Sequence, residues 1–311
     1  MSSLTVITHN DCSLYRPHAS HPERPERLAA ALRGIEQIKN IELLEAEIVD
    51  AADLARVHDA EYLAQIERAE ASVNKTQQTE VLDADTHAAV GSIHAARLAA
   101  GAACQAVDIA LSRPGRSTFA IVRPPGHHAE SNRAMGFCFF NSIAVAAARA
   151  LKSFDIQRVA ICDFDVHHGN GTEQIFVDDH RVLFASSHQH PLYPGTGTPD
   201  QPQADNIRNI GLPPGSGSNQ FRDAWQHHLI PDIERFQPDL LLISAGFDAH
   251  WRDPLAQLDL KDEDFYWIGH QLHKVAQKHC KGRLVASLEG GYDLQALTES
   301  TLAFGEGITI G

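Results

Sequence analysis

Six short runs of almost continuous apolar or β-branched character punctuate the chain: LTVIT (4–8), TFAIV (118–122), RVAIC (158–162), RVLFAS (181–186), DLLLIS (239–244) and RLVASL (283–288). Strands exposed on one face alternate polar and apolar residues, whereas unbroken runs of this length mark strands buried on both faces, as in a parallel sheet. Between them the apolar positions recur with helical period over 24–38, 60–69, 87–111, 141–154, 219–236 and 262–279. The alternation predicts an α/β fold, a single doubly wound domain over residues 1–311 with an open, mostly parallel sheet flanked by helices. No linker of disordered composition interrupts it, and no repeat of about 20 to 50 residues is present.

Gly/Pro-rich loops at 123–126, 191–202 and 211–218 each follow a strand run closely. Open parallel sheets bind ligands outside the carboxyl ends of their strands, so these loops are expected to wall a site. Composition narrows the partners. With 43% hydrophobic and 21% charged residues the chain is a globular folder, and its net charge of -14 repels phosphate backbones, which argues against nucleic-acid binding. The five cysteines (Cys12, Cys104, Cys138, Cys162, Cys280) are scattered and form no CxxC pair, as expected in a reducing compartment. The opening MSSLTVITHN lacks the features of a signal peptide and no stretch reaches the length of a membrane span, so a cytoplasmic location away from membranes is expected.

Polar residues concentrate where the strand runs end: RPPGHH (123–128), DFDVHHGNG (163–171), SAGFDAHWRDP (244–254) and LEGGYD (288–293). In an extended segment side chains alternate, which would place Asp163, Asp165 and His167 on one face and Phe164 and Val166 on the other. Two carboxylates and an imidazole on one face can meet a zinc ion if another segment closes the site, and Asp248, at an equivalent strand end, is the candidate to do so. A lone Asp163 would read as a helix cap or turn residue, but buried charge without a partner is costly, so a carboxylate pair with two histidines in nine residues favours function. Taken alone, His127 and His128 are as compatible with a solvated loop, and Tyr292 with a turn made by Gly290 and Gly291. His227, His228, His270, His273 and His279 sit at spacings that suit an ordinary helix face, and His87 and His94 are read the same way.

Together HPERPERL (21–28), LDADT (82–86), RPPGHHAE (123–130), MGFCFFN (135–141), DFDVHHGNGTE (163–173), SAGFDAHWRDPL (244–255) and LEGGY (288–292) resemble the zinc-dependent histone deacetylase superfamily, which includes bacterial deacetylase-like amidohydrolases and acetylpolyamine amidohydrolases. The motifs stand in family order and span nearly the whole chain. The resemblance implies an arginase-like open sheet and one zinc held by Asp165, His167 and Asp248. It makes His127 and His128 the catalytic histidine pair, Tyr292 the carbonyl-polarising tyrosine and Asp163 the partner of His127. At the partner position of His128 stands Asn170, the class II form; lacking charge, it should leave His128 the less protonated of the two.

The implied reaction is hydrolysis of acetyl-lysine or a small N-acetylated amine, with His128 as general base and then acid, His127 as an electrostatic aid and Tyr292 donating to the oxyanion. Phe137 and Tyr193, with Gly136 and Leu255, match the substrate tunnel, and Leu255 stands where polyamine-selective relatives carry a glutamate. A potassium site built on the main chain of Asp163, Asp165 and His167 with Ser186 is also implied. The competing reading as a binuclear manganese ureohydrolase is weakened by Gly169 and His250, which stand where that family places second aspartates, and a non-catalytic acyl-binding role is disfavoured by retention of the full polar set. The segment 11–23 matches the tunnel rim, where some relatives make a dimer contact.

Overall fold

The computed structural model describes residues 4–18, 20–152, 155–198 and 204–309. Its strands are β1 (Leu4–Thr8), β2 (Ile41–Glu45), β3 (Glu80–Val81), β4 (His87–Ala88), β5 (Ser117–Ala120), β6 (Val159–Asp163), β7 (Val182–Gln189), β8 (Ile207–Leu212), β9 (Leu240–Ala245) and β10 (Leu284–Leu288). Eight of them form one sheet in the order β2-β1-β5-β10-β9-β6-β7-β8, and every neighbouring pair is parallel. β3 and β4 pair separately as a short antiparallel hairpin.

The helices are α1 (Glu26–Ile35), α2 (Ala51–Leu54), α3 (Ala60–Thr76), α4 (Ser92–Ser112), α5 (Ser142–Ala150), α6 (Asn170–Phe176), α7 (Ser218–Ala224), α8 (Ile230–Phe236), α9 (Asp262–His279) and α10 (Leu294–Gly307). α10 packs on both α1 and α9, while α4 packs on α5 and β5. Sandwiched between helices, β5, β6, β7, β9 and β10 are buried along their entire lengths, which is why their sequences show no polar alternation.

Two helical spans differ from the periodicity. In the span 87–111, His87 and Ala88 are strand residues, and α4 begins only after Gly91, whose φ of 82° turns the chain. The span 219–236 is broken by a wide π turn at Trp225–Leu229, where the buried Trp225 indole donates to the Ser187 hydroxyl at 2.8 Å. Of the expected helix 141–154 and the loops 191–202 and 11–23, residues 153–154, 199–202 and Ala19 lie outside the described residues.

The strand order explains the clustering of polar motifs. β5, β10, β9 and β6 are consecutive in the parallel sheet, so the four motifs that follow them emerge side by side at the carboxyl ends of its central strands. β7, next to β6, adds the loop that carries Tyr193.

Candidate active site

β6 ends at Asp163, and residues 165–167 form a bend. The shared orientation of these side chains therefore comes from the bend and its hydrogen bonds, not from the strand pleat. Asp163 Oδ1 accepts the Asp165 amide at 3.1 Å, and Asp165 Oδ1 accepts the His167 amide at 2.9 Å. Asp248, delivered by the loop after β9, accepts the Val166 amide through Oδ1 at 2.9 Å. Ligand atoms of Asp165, His167 and Asp248 all lie within 4.8 Å of one another and all three residues are buried; among the described residues this is the group that could hold a metal ion.

Several observations fit a divalent cation there. Asp248 Oδ2 is buried without a hydrogen-bond partner; His167 Nδ1 lies 3.2 Å away but bonds to Asp165 Oδ1 at 3.1 Å. Burial favours the neutral form of the His167 imidazole, yet its hydrogen bond to Asp165 and the negative charge of Asp165 and Asp248 raise its pKa to about 10, so the cluster favours a positive charge. Two oxygens and one imidazole nitrogen are the donor set of an open zinc site. The neighbouring backbone leaves room only for glycine. A Cβ on Gly290 would stand 1.9 Å from Asp248 Oδ2, and one on Gly246 would stand 2.1 Å from Asp165 Oδ2.

His127 and His128 pack with ring centroids 4.0 Å apart. His127 Nδ1 lies 3.0 Å from Asp163 Oδ2; burial opposes its charged form, but Asp165 and Asp163 overcome this and raise its pKa to about 10. His128 goes the other way: burial first, then the positive neighbours His127 and His167, hold it well below the usual histidine range. Its Nδ1 lies 2.8 Å from Asn170 Oδ1, and Asn170 Nδ2 donates to Glu130 Oε1 at 2.8 Å. With its amide nitrogen so engaged, Asn170 presents oxygen to His128, which fixes Nδ1–H and leaves Nε2 as the basic nitrogen.

A channel of about 220 Å³ ends on this floor, lined by Asp85, His128, Gly136, Phe137, His167, Leu192, Tyr193, Leu255 and Tyr292. Phe137 adopts a left-handed conformation at φ 69°, directly after Gly136 at φ 58°. That turn is held by Asp85 Oδ1 on the Gly136 amide (2.9 Å) and Thr86 Oγ1 on the Phe137 amide (3.0 Å). Tyr193 stands opposite, edge-on to His128 at 5.2 Å. The Tyr292 ring is edge-on to Phe137 at 6.0 Å and lies under the Arg27 guanidinium at 4.7 Å.

Every residue assigned to the site by the motifs is therefore near this floor or channel, Ser186 included, which faces Asp163 across the β6–β7 register. His227 stays on an exposed face paired with Asp223, and His94 pairs with Asp11, both away from the cluster. Three carboxylates escaped the sequence reading. Asp85 reaches the channel from the β3–β4 hairpin. Glu289 accepts the Gly126 amide (2.6 Å) and the His127 amide (3.1 Å), and burial raises its pKa to about 7. Asp253 accepts the Tyr292 amide at 2.7 Å, and burial reinforced by Asp248 raises its pKa to about 7.

A parallel α/β sheet that gathers a metal-competent triad, paired histidines and a tyrosine at the ends of its central strands is the framework of a hydrolytic enzyme. Residues 18–308 match the histone deacetylase domain, and the chain belongs to the histone deacetylase family. It is 38% identical to a probable deacetylase of Archaeoglobus fulgidus over 93% of this chain and 81% of that one. It is also 38% identical to a histone deacetylase-like amidohydrolase of Pseudomonas aeruginosa, over 88% and 72% of the two chains. The crystal structure of the HDA15 HD domain superposes with a TM-score of 0.89 at 32% identity, covering 98% of this chain and 90% of that one. No described helix is long and apolar enough to cross a membrane.

Proposed function

We propose that this member of the deacetylase family hydrolyses the acetamide of acetyl-lysine and related N-acetylated amines, using one zinc ion held by Asp165, His167 and Asp248. The observation that carries the reading is the convergence of that triad, a basic His128 Nε2 and Tyr292 at the closed end of a narrow channel. Zinc, when bound, supplies Lewis acidity toward water and the acetyl carbonyl.

The chain's own residues supply the rest. Phe137 and Tyr193 flank an extended methylene shaft and exclude bulk water around it. His128 is held neutral by burial, its largest cause, and by the positive charge of His127, so Nε2 takes the proton of the attacking water and then passes it to the leaving nitrogen. His127, held protonated by Asp165 and Asp163, stabilises negative charge as it develops. The Tyr292 hydroxyl, whose pKa burial holds well above its usual value, keeps its proton and donates it in a hydrogen bond to the acetyl oxygen. The main chain of Asp163, Asp165 and His167 with Ser186 would hold a potassium ion beneath the same strand end.

Acetate release from an acetyl-lysine peptide, measured on protein of known metal content, tests the reading. One zinc per chain, with turnover lost to a chelator and restored by zinc, is the expected outcome. Two manganese ions per chain with no amide hydrolysis would replace it with the ureohydrolase reading.

A further inference from the structure

The loop that carries Leu192 and Tyr193 is largely exposed, but its far end is gripped from below. Thr196 Oγ1 lies 2.8 Å from His168 Nδ1, and the Gly197 carbonyl lies 3.0 Å from His188 Nε2. Both imidazoles are buried, with ring centroids 4.8 Å apart. Each is oriented from behind. Glu173 Oε2 sits 3.0 Å from His168 Nε2 and accepts from Asn209 Nδ2 at 2.6 Å, while the Ser186 hydroxyl lies 3.1 Å from His188 Nδ1.

The acceptors assign the tautomers. A carboxylate facing His168 Nε2 requires a proton there, and in the neutral ring Nδ1 then accepts from the Thr196 hydroxyl. A carbonyl facing His188 Nε2 requires a proton there, so Nδ1 accepts from Ser186. Gly197 has a φ of 68°, and a Cβ on it would come 2.5 Å from the His168 ring; the backbone is pressed directly against the imidazole. The near end of the loop is fixed to the sheet by the Gln189 amide on Val166 O and the His190 amide on Leu212 O, each 2.8 Å. Tyr193 thus hangs between two anchors, its ring facing His128 at 5.2 Å and His167 at 6.2 Å.

We propose that His168 and His188 are positioning residues that clamp the Thr196–Gly197 end of this loop, and that the clamp sets the bore between Tyr193 and Phe137, selecting slender, unbranched acetylated amines. Neither histidine, nor Thr196, lines the channel itself. They act by denying Tyr193 the outward movement that a thicker substrate shaft would need, and close-packed surroundings transmit that restraint. The inference rests on the deacetylase reading for its substrate class but concerns a different property, the ratio between two substrates.

The test uses Thr196→Val, which keeps shape and loses the hydroxyl, with Thr196→Ser as the conservative rescue. Two peptides carry the same acetamide on different shafts, acetyl-lysine and 4-(acetamidomethyl)phenylalanine. The clamp requires the preference for the lysine shaft to fall by about threefold or more in Thr196→Val and to return in Thr196→Ser, with zinc content and melting temperature unchanged. A preference that stays within about twofold of the starting protein overturns the proposal, whatever happens to absolute rates. If Thr196→Val turns over neither peptide, the affinity ratio of hexyl-linked to phenyl-linked hydroxamic acids is judged by the same criterion. If the unaltered protein hydrolyses neither amide, the deacetylase reading fails, and the hydroxamate ratio still decides for or against the clamp.

Discussion

His128 Nδ1 and Asn170 Oδ1 lie 2.8 Å apart, so His128, the proposed general base, is oriented by a neutral amide while its neighbour His127 is held by the carboxylate of Asp163 at 3.0 Å. One substitution exposes the consequence. In Asn170→Asp the new carboxylate favours the imidazolium form of His128 and raises its pKa, so at a given pH a smaller fraction of the base is free. The acid limb of kcat/KM is therefore expected to move to higher pH by about one unit or more. A pH–rate profile of the variant whose acid limb is unmoved, or moves to lower pH, would remove His128 from the role of base.

Tyr292 offers a cleaner separation of binding from chemistry. Its amide is anchored by Asp253 and its ring by Arg27, so Tyr292→Phe leaves the backbone and packing in place and removes one hydroxyl. Losing a single donor to a developing oxyanion costs about 100- to 1000-fold in kcat, with KM and zinc content nearly unchanged. Steady-state kinetics with parallel metal analysis check this, and turnover near that of the parent protein would rule the role out.

The parts of this molecule that could be read from sequence are those in which burial or chemistry leaves a local signature. β6, β9 and β10 are buried on both faces and read as apolar runs, whereas β2 (IELLE) and β8 (IRNIGL) are half-exposed sheet edges whose mixed composition hides them. α6 begins within the HHGNG motif at Asn170, so its first turn carries glycine and site residues and no apolar periodicity that would mark a helix. Asp165, His167 and Asp248 stood out because charged residues at the end of an apolar strand need a reason. Glu289 and Asp253 did not, because most of their partners are backbone amides, those of Gly126, His127, Tyr292 and Leu255, and every residue type but proline offers such a donor. Asp85 sits on a two-residue strand pair too short for any periodicity. The widths and anchors of the channel wall, including Gly197 against His168, depend on tertiary approach that no sequence spacing encodes.

Leu255 leaves its side of the channel wall without charge. Its amide is fixed by Asp253 Oδ1 at 3.0 Å, and its side chain lines the channel. Leu255→Glu would place a carboxylate where the distal ammonium of an N-acetylated diamine emerges. A partly exposed ion pair is worth about 1 kcal/mol at most, so the preference for acetylputrescine over an acetyl-lysine peptide is expected to rise about fivefold, and the gain should shrink as salt is added. Competition kinetics in which the preference stays flat, or a gain insensitive to salt, would show that the distal amine does not reach this wall.

His58 links stability to pH at a distance from the Asp165, His167 and Asp248 cluster. Its Nε2 accepts the Asn141 amide at 3.0 Å and its Nδ1 lies 3.1 Å from the Glu130 carbonyl; Asn141 in turn caps α5 and donates to the Ala129 carbonyl at 3.2 Å, just after the histidine pair. Burial lowers the pKa of His58 to about 4, while an unfolded chain would carry a histidine near about 6.5. The folded state holds the neutral ring, so this contribution is fully present above the unfolded pKa and is lost as pH falls toward the folded one. Between those limits the unfolded state binds the extra proton, at a cost to stability of a few kcal/mol at most. His58→Gln replaces the titrating ring with an amide that can still accept from Asn141, so its denaturation midpoint should be lower than the parent's at pH 7 but fall less steeply between about pH 6.5 and 4. Urea titrations across that interval read the slope directly, and parallel slopes for the two proteins would mean that His58 is not the group whose proton uptake unfolds this region.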